Sequence, residues 1–297
     1  MGLSKKSLEK LEWVYQVVNE FQAYLPLTVR QIYYQLVGKD LIENNQNSYK
    51  RTCELIKNAR VEGLLAWKCV EDRTRVIKKN EGFTNTRHFI QNECDIILKG
   101  YRRDLMQNPP CYIEIWIEKD ALSTIFQKIA KQYTIPLMVC KGYSSVTFLN
   151  DYYERAIQKN QPLLILYYGD FDPSGQDMPR YYRKHLSEKG LDVKVEMGSL
   201  NYNQIMQYNL PNNPDALKTN DTRSPGFIDK YGHISVELDA MKPGDLQSIL
   251  LNDIERWINQ DEYQLQVEMQ ANDLLELNEK RNDVVKYLIE LFKNSDH

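Results

Sequence analysis

Hydrophobic positions in the first hundred residues recur with helical spacing. Leu8, Leu11, Val14, Val18 and Phe21 form one stripe, and Pro26 ends it. Thr28 is placed to cap a second helix over 29–37, where Val29, Ile32, Tyr33, Leu36 and Val37 follow the i, i+3, i+4, i+7, i+8 pattern of a core-facing stripe. Ser48 is placed to cap a third helix reaching about residue 60. Residues 67–77 contain β-branched side chains and suit a short hairpin. A fourth helix is predicted over about 86–106, with Ile90, Cys94, Ile97 and Tyr101 on one stripe.

After Asn108-Pro109-Pro110 the pattern changes to alternation. Apolar runs at 111–118, 136–141 and 163–168 read as strands. Amphipathic stretches at 119–133, 144–159 and 174–189 read as helices. Fully apolar strands alternating with helices imply an α/β fold around a parallel sheet, covered on both faces. A stretch over 198–233 is rich in Asn, Pro and Gly, and is too long for an idle connection. Residues 234–238 are β-type, and 243–293 are helical. The expected organisation is a helical domain over 1–110 followed by a parallel-sheet domain over 111–297 with a helical C-terminal segment. Three helices and a small hairpin make the first of these a winged-helix layout.

Composition narrows the class. Hydrophobic residues are 42% and charged residues 27% of the 297, as in ordinary globular proteins. No apolar run approaches the ~18–20 residues of a membrane helix, and residues 1–10 are charged, so no signal peptide is expected. Five cysteines, odd in number and without CxxC, exclude a disulfide scaffold and point to a reducing cytoplasm. The net charge of −3 argues at first against nucleic acid as a partner, but the charges are unevenly spread. Residues 1–110 hold 18 Lys+Arg against 13 Asp+Glu, and the remainder holds 20 against 28. A basic half precedes an acidic one.

The acidic residues cluster at strand ends. The run at 163–168 leads into Gly169-Asp170-Phe171-Asp172-Pro173-Ser174-Gly175, and the run at 111–118 ends in Glu118-Lys119-Asp120. Open α/β sheets bind ligands outside the carboxyl ends of their strands. If these two strands are neighbours, Glu118, Asp170 and Asp172 converge. Three carboxylates at one point require a cation, and all-oxygen ligation suits Mg²⁺. The structural alternative is that Asp172 caps the next helix, with Pro173 at its first position. Asp177, on the first turns of that helix, could be a further metal ligand or simply answer the positive end of the helix dipole. Glu237 and Asp239 could extend the acidic site or line a solvated strand, and Asp221-Thr222-Arg223 could touch a partner or solvent. His88, His185, His233 and His297 are dispersed without an HExxH pattern, which argues against zinc.

Glu118 after one strand and Asp170-x-Asp172-Pro173-x-Gly175 after a later one resemble the Toprim fold of topoisomerases, bacterial primases and some nucleases. The Asp-Pro-x-Gly form is closest to the topoisomerase VI A subunit and the related meiotic double-strand-break protein. In that family a catalytic tyrosine lies on a winged-helix domain N-terminal to the Toprim domain. Thr28-Val29-Arg30-Gln31-Ile32-Tyr33-Tyr34 is similar to its Arg-x-x-x-Tyr motif. Tyr33 lies on the core stripe, whereas Tyr34 lies off it, one turn from Arg30, and is expected to be the exposed nucleophile with Arg30 stabilising its phenolate. The resemblance implies a small, Mini-A-like transesterase cutting both strands of DNA. Mg²⁺ (or Mn²⁺) would be held by Glu118, Asp170 and Asp172, and Tyr34 would be left on the 5′ phosphate. It also implies a homodimer, with Tyr34 of one chain completing the metal site of the other. Lys50, Arg51, Lys57, Arg60, Arg73 and Arg75 are the candidate DNA contacts. No GxxxxGK pattern occurs, so ATP would enter through a separate subunit. A Toprim nuclease using metal-activated water, and a non-catalytic DNA-binding protein, are the alternatives. The expected setting is the cytoplasm of a prokaryotic cell, or a plasmid or phage.

Overall fold

The computed structural model describes residues 4–71, 82–140, 142, 146–213, 217 and 221–292. The chain forms two compact units, each assembled from two sequence segments: Met1–Thr74 with Pro110–Trp257, and Arg75–Pro109 with Ile258–His297. Pro109–Pro110, the expected domain boundary, is one of three places where the chain passes between units. The N-terminal helices belong to the same unit as the sheet.

The first unit opens with α1 (Lys5–Glu20), the short strand β1 (Leu27–Thr28), α2 (Val29–Gly38) and α3 (Gln46–Val61). Helix α2 starts with a reciprocal cap: Thr28 Oγ1 accepts from the Gln31 N–H at 3.2 Å, and Gln31 Oε1 accepts from the Thr28 N–H at 2.7 Å. Helix α3 is capped by Asn45 rather than Ser48, because the Ser48 N–H donates to Asn45 Oδ1 at 2.8 Å. Leu11, Val14, Val17, Ile32, Leu36, Ile56 and Ala59 form the core these helices share. Part of the expected hairpin lies outside the described residues. Its described part, Trp67–Cys69, is a 3₁₀ turn leading into β2 (Val70–Glu71), which pairs with β1 in parallel.

Next in the chain is α4 (Thr86–Ile96), which belongs to the second unit. The first unit resumes with β3 (Tyr112–Ile117), a 3₁₀ turn (Asp120–Leu122), α5 (Ser123–Gln132), β4 (Leu137–Val139), α6 (Val146–Ala156), β5 (Leu163–Tyr168) and α7 (Pro173–Glu188). Strand β6 (Val193–Ser199), not anticipated from the sequence, completes a parallel sheet of order β4-β3-β5-β6. Strand β5 is buried along its whole length, which accounts for its unbroken apolar run. On one face Trp116 and Tyr167 pack against Tyr182 of α7, and Trp116 also meets Tyr152 of α6. On the other, Tyr168 meets Phe126 of α5 and donates to Asp253 of α10 (Pro243–Glu255) at 2.8 Å.

The stretch expected as a long loop contains α8 (Tyr202–Gln207) and α9 (Ser224–Tyr231). Phe171, just past β5, packs against Phe227 and Tyr231 of α9 and bridges to Val236 in antiparallel fashion. The Phe171 N–H donates to the Val236 carbonyl at 2.8 Å, and the Val236 N–H returns the bond at 3.1 Å. The 3₁₀ turn Leu238–Ala240 is thereby delivered to the end of the sheet, and it packs on α2.

In the second unit, α4 stops at Ile96 instead of continuing to about residue 106, with Leu98 in the left-handed region (φ 59°). It packs against α11 (Gln260–Leu291), where Arg281 donates to the Cys94 and Ile97 carbonyls at 2.7 and 3.1 Å. The helical C-terminal segment is thus two helices, divided where Asn259 caps α11. Among the described residues, no helix is long and apolar enough to cross a membrane, and all five cysteines are free thiols.

Gly175 on the first turn of α7 is required by space, because a Cβ there would overlap the Asp170 carbonyl oxygen. Gly175→Ala is expected to destabilise the fold by about 1–3 kcal/mol, since backbone must move. Urea denaturation of the two proteins measures this.

Candidate functional site

Strands β3 and β5 are direct neighbours in matching register, Ile117 opposite Tyr168, so Glu118 and Asp170 leave the sheet side by side. The Glu118 N–H donates to the Tyr168 carbonyl at 2.9 Å. Glu118 Oε2 accepts from the Asp170 N–H at 3.1 Å and from the Tyr167 hydroxyl at 3.2 Å. Of the three expected carboxylates these two meet. Asp172 is turned into the helix: its Oδ1 accepts from the Gly175 N–H at 2.6 Å and from Ser174 Oγ at 2.7 Å. The capping reading of Asp172 therefore describes its observed contacts. Asp177 likewise serves an ion pair, with Arg180 at 2.6 Å.

The segment after Val236 adds two further acids. Glu237 and Asp239 approach Asp170 around one ammonium: Lys119 Nζ lies 2.9 Å from Asp170 Oδ1, 2.7 Å from Glu237 Oε2 and 3.0 Å from Asp239 Oδ2. The Leu238 N–H also donates to Asp170 Oδ1 at 2.8 Å. A lysine therefore occupies the point where acidic residues converge. Among the described residues, no group of three His, Cys, Asp or Glu side chains is arranged to hold a metal ion directly. Lys119 is not among the residues the sequence pattern singles out. Its signal was a basic residue embedded between two acids at a strand end.

Helix α2 joins this cluster from the other side. The Arg30 guanidinium hydrogen-bonds Glu237, and its Nε lies 3.7 Å from Asp239 Oδ2. The Asp239 side chain is fully buried, and neither of its oxygens has a hydrogen-bond partner among the described residues, so charge attraction to Lys119 and Arg30 holds it. Tyr34, expected to be exposed, is only 2% accessible, as buried as Tyr33 at 3%. Its side of the helix is covered by the Leu238–Ala240 turn, which the periodicity of α2 alone does not reveal. The phenol faces Glu237 of its own chain, with Arg30 and Lys119 nearby.

These contacts order the protonation states. Burial is the largest influence on Asp170 and raises its carboxyl to about 7; Lys119 pulls against this and Glu118 adds to it. Burial would likewise raise Glu237, but Lys119 and Arg30 outweigh it and bring the carboxyl down to about 2. Burial disfavours the Lys119 charge, yet Asp239, Asp170 and Glu237 together keep it firmly protonated. Burial and then Glu237 push the Tyr34 phenol up, against the pull of Arg30 and Lys119. In this arrangement Tyr34 is a neutral phenol.

Four of the six candidate DNA contacts, Lys50, Arg51, Lys57 and Arg60, occupy α3. Lys50 and Arg51, with Lys6 and Lys10 of α1 and Glu54, line a groove of about 540 Å³. Lys57 pairs with Glu54 at 2.9 Å, and the Arg60 guanidinium lies 4.3 Å from the centroid of the Trp67 ring. Arg73 and Arg75 lie outside the described residues. Asp221 pairs with Arg223, and Arg223 also reaches Asp177 at 3.6 Å, so these residues make contacts within the chain.

No protein-family profile matches this chain, and no curated protein is detectably similar to it.

The low Glu237 value carries a sign. A carboxyl held below its ordinary 4.5 stabilises the fold above that pH, and the contribution is lost as pH falls from about 4.5 toward 2. Its full size is on the order of 3 kcal/mol. Glu237→Gln is expected to lower stability at neutral pH and to flatten the acid limb of the profile. Denaturant midpoints compared at neutral pH and near the lower value check both effects.

Proposed function

We propose that this chain cleaves DNA by tyrosine transesterification, in the manner of a topoisomerase VI A subunit. In this reading the Met1–Thr74 segment is the winged-helix element and the sheet is a Toprim-type platform. The observation that carries it is the meeting of Arg30 and Tyr34 on α2 with the charged residues at the carboxyl ends of β3 and β5. The acidic and tyrosine motifs lie far apart in sequence, yet Arg30 and Tyr34 reach Glu237, which shares Lys119 with Asp170, and this supports reading a nucleophile, a guanidinium and carboxylates as one phosphodiester site.

The Tyr34 oxygen attacks the phosphorus and a Tyr34–phosphate bond forms as the bond to the 3′ oxygen breaks. The phenol gives up a proton and the departing 3′ oxygen takes one up. One ester replaces another, so the step needs no ATP and runs in both directions. Arg30 and Lys119 supply positive charge where the phosphate becomes more anionic. Glu118 and Asp170 are hard oxygen donors of the kind Mg²⁺ takes, one or two carboxylates with water and phosphate completing its shell. Asp172 would add a third carboxylate only by giving up its cap on Gly175. Mg²⁺ bound there would neutralise charge on the phosphate. Lys50 and Arg51, with Lys6 and Lys10 beside them, would contact the backbone of the duplex. Cutting both strands takes two tyrosines and therefore a dimer of this chain.

The burial and raised pKa of Tyr34 favour a second reading, hydrolysis by water activated at the same carboxylates, with Tyr34 structural. Supercoiled plasmid incubated with the protein and Mg²⁺ separates the two. Transesterification gives linear DNA carrying protein on its 5′ ends, and Tyr34→Phe loses adduct and cleavage together, by at least ~10³-fold. Cleavage that survives Tyr34→Phe assigns hydrolysis instead. Asp170→Asn is expected to abolish cutting on either chemistry, and unchanged cutting by that variant would leave neither standing.

A further inference from the structure

Beside Tyr34 lies a cavity of about 590 Å³, lined in part by Arg30, Tyr33, Tyr34, Asn44, Asn45 and Tyr49. That is within the range of small-ligand pockets, and large enough for a nucleotide. Three tyrosines stand among its lining residues. The Tyr33 ring meets Tyr34 edge-on at 5.1 Å and Tyr49 at 5.2 Å, and the Arg30 guanidinium lies 5.9 and 6.0 Å from the Tyr34 and Tyr49 centroids. Tyr49 is half-buried, and the Arg30 side chain is 43% exposed, so each offers surface to an occupant.

Charge decides what that occupant is. The one guanidinium in the wall is already engaged by Glu237 and Asp239, and Glu237 itself borders the cavity. Among the described residues the lining holds no cation besides Arg30, which the cleavage reading assigns to the phosphodiester that Tyr34 attacks, and a carboxylate lies close by, so a second phosphate finds nothing to pair with here. A neutral, flat, hydrogen-bonding group meets better terms. The Asn44 amide uses one lone pair on the Tyr33 hydroxyl at 3.0 Å and one N–H on the Asn212 carbonyl at 2.9 Å. Among the described residues no partner takes its second N–H or its second lone pair, the donor and acceptor that an amide presents to a base edge. Aromatic and guanidinium planes are the surfaces on which unstacked bases lie.

We infer that this cavity takes a nucleobase turned out of the duplex beside the bond that Tyr34 attacks. This rests on the DNA-cleavage reading above and extends it to a subsite. Flipping a base costs a few kcal/mol in paired DNA and least where the base is already unpaired. The protein therefore binds a duplex carrying one unpaired nucleotide more tightly than the same duplex fully paired.

The full chain bearing Tyr34→Phe, which keeps the ring but forms no adduct, is titrated into both fluorescent duplexes and followed by anisotropy. The expected result is roughly tenfold tighter binding of the unpaired-nucleotide duplex, within the reach of one base-stacking contact. Tyr49→Ala and Asn44→Ala, each added to that background, are expected to abolish the difference while leaving affinity for the paired duplex unchanged. Equal affinity for the two duplexes, or a preference that survives both substitutions, overturns the subsite and leaves the cleavage reading intact. Failure to bind either duplex overturns both.

Discussion

A single ammonium group, that of Lys119, holds the site together. It lies within 3.0 Å of carboxylate oxygens from Asp170, Glu237 and Asp239. Those residues arrive from the end of β5 and from the Leu238–Ala240 turn with Glu237 just before it, while Lys119 itself follows β3. Burying four charges together carries a large desolvation cost, which their mutual attraction offsets only if the geometry is kept. Removing the ammonium would leave three carboxylates facing one another at low dielectric. Arg30 extends the same network to α2, so the position of Tyr34 depends on charges set by the sheet.

The sheet contributes rigidity and direction. Strands β3 and β5 are paired through their full length, so Glu118 and Asp170 emerge together. The turn into α7 is equally constrained, with the Asp172 cap at its start and Gly175 packed against the Asp170 carbonyl. Glu114, on β3, makes a useful contrast. Arg155, Tyr112 and Trp116 saturate its two oxygens within the core, and it has no open valence for chemistry. Asp239 is just as buried, yet charge rather than directional bonds secures it. Unsatisfied polar groups of this kind are uncommon in folded cores, and here they border the groups proposed to act on a phosphodiester.

Much of the framework was legible because it depends on neighbours in sequence. The apolar run of β5, the Thr28 cap of α2 and the Asp172-Pro173 start of α7 are local signals with local causes. The pairing of β3 with β5 was legible only as a condition on Glu118 and Asp170, since no spacing rule states which strands adjoin. Strand β6 carries the alternation of a half-buried strand, Val193, Val195 and Met197 with Lys194 and Glu196 between them, over too few residues to stand out from the Asn-, Pro- and Gly-rich stretch it runs into. The stop of α4 at Ile96 was missed because the apolar stripe continues beyond it.

Read alone, the chain determined a mixed α/β fold with parallel strands, a helical C-terminal segment, and acids placed at the carboxyl ends of two strands. Those features follow from periodicity and caps, which act over a few residues. Tertiary structure decided the rest. It buried Tyr34, which the helix pattern leaves facing outward, and it brought Glu237 to Arg30 across 207 positions. It also gathered Asp170, Glu237 and Asp239 around Lys119. Helical periodicity reports only which face of α2 is apolar. What covers the opposite face depends on a turn held in place by Phe171, Phe227 and Tyr231, packing that no local pattern encodes.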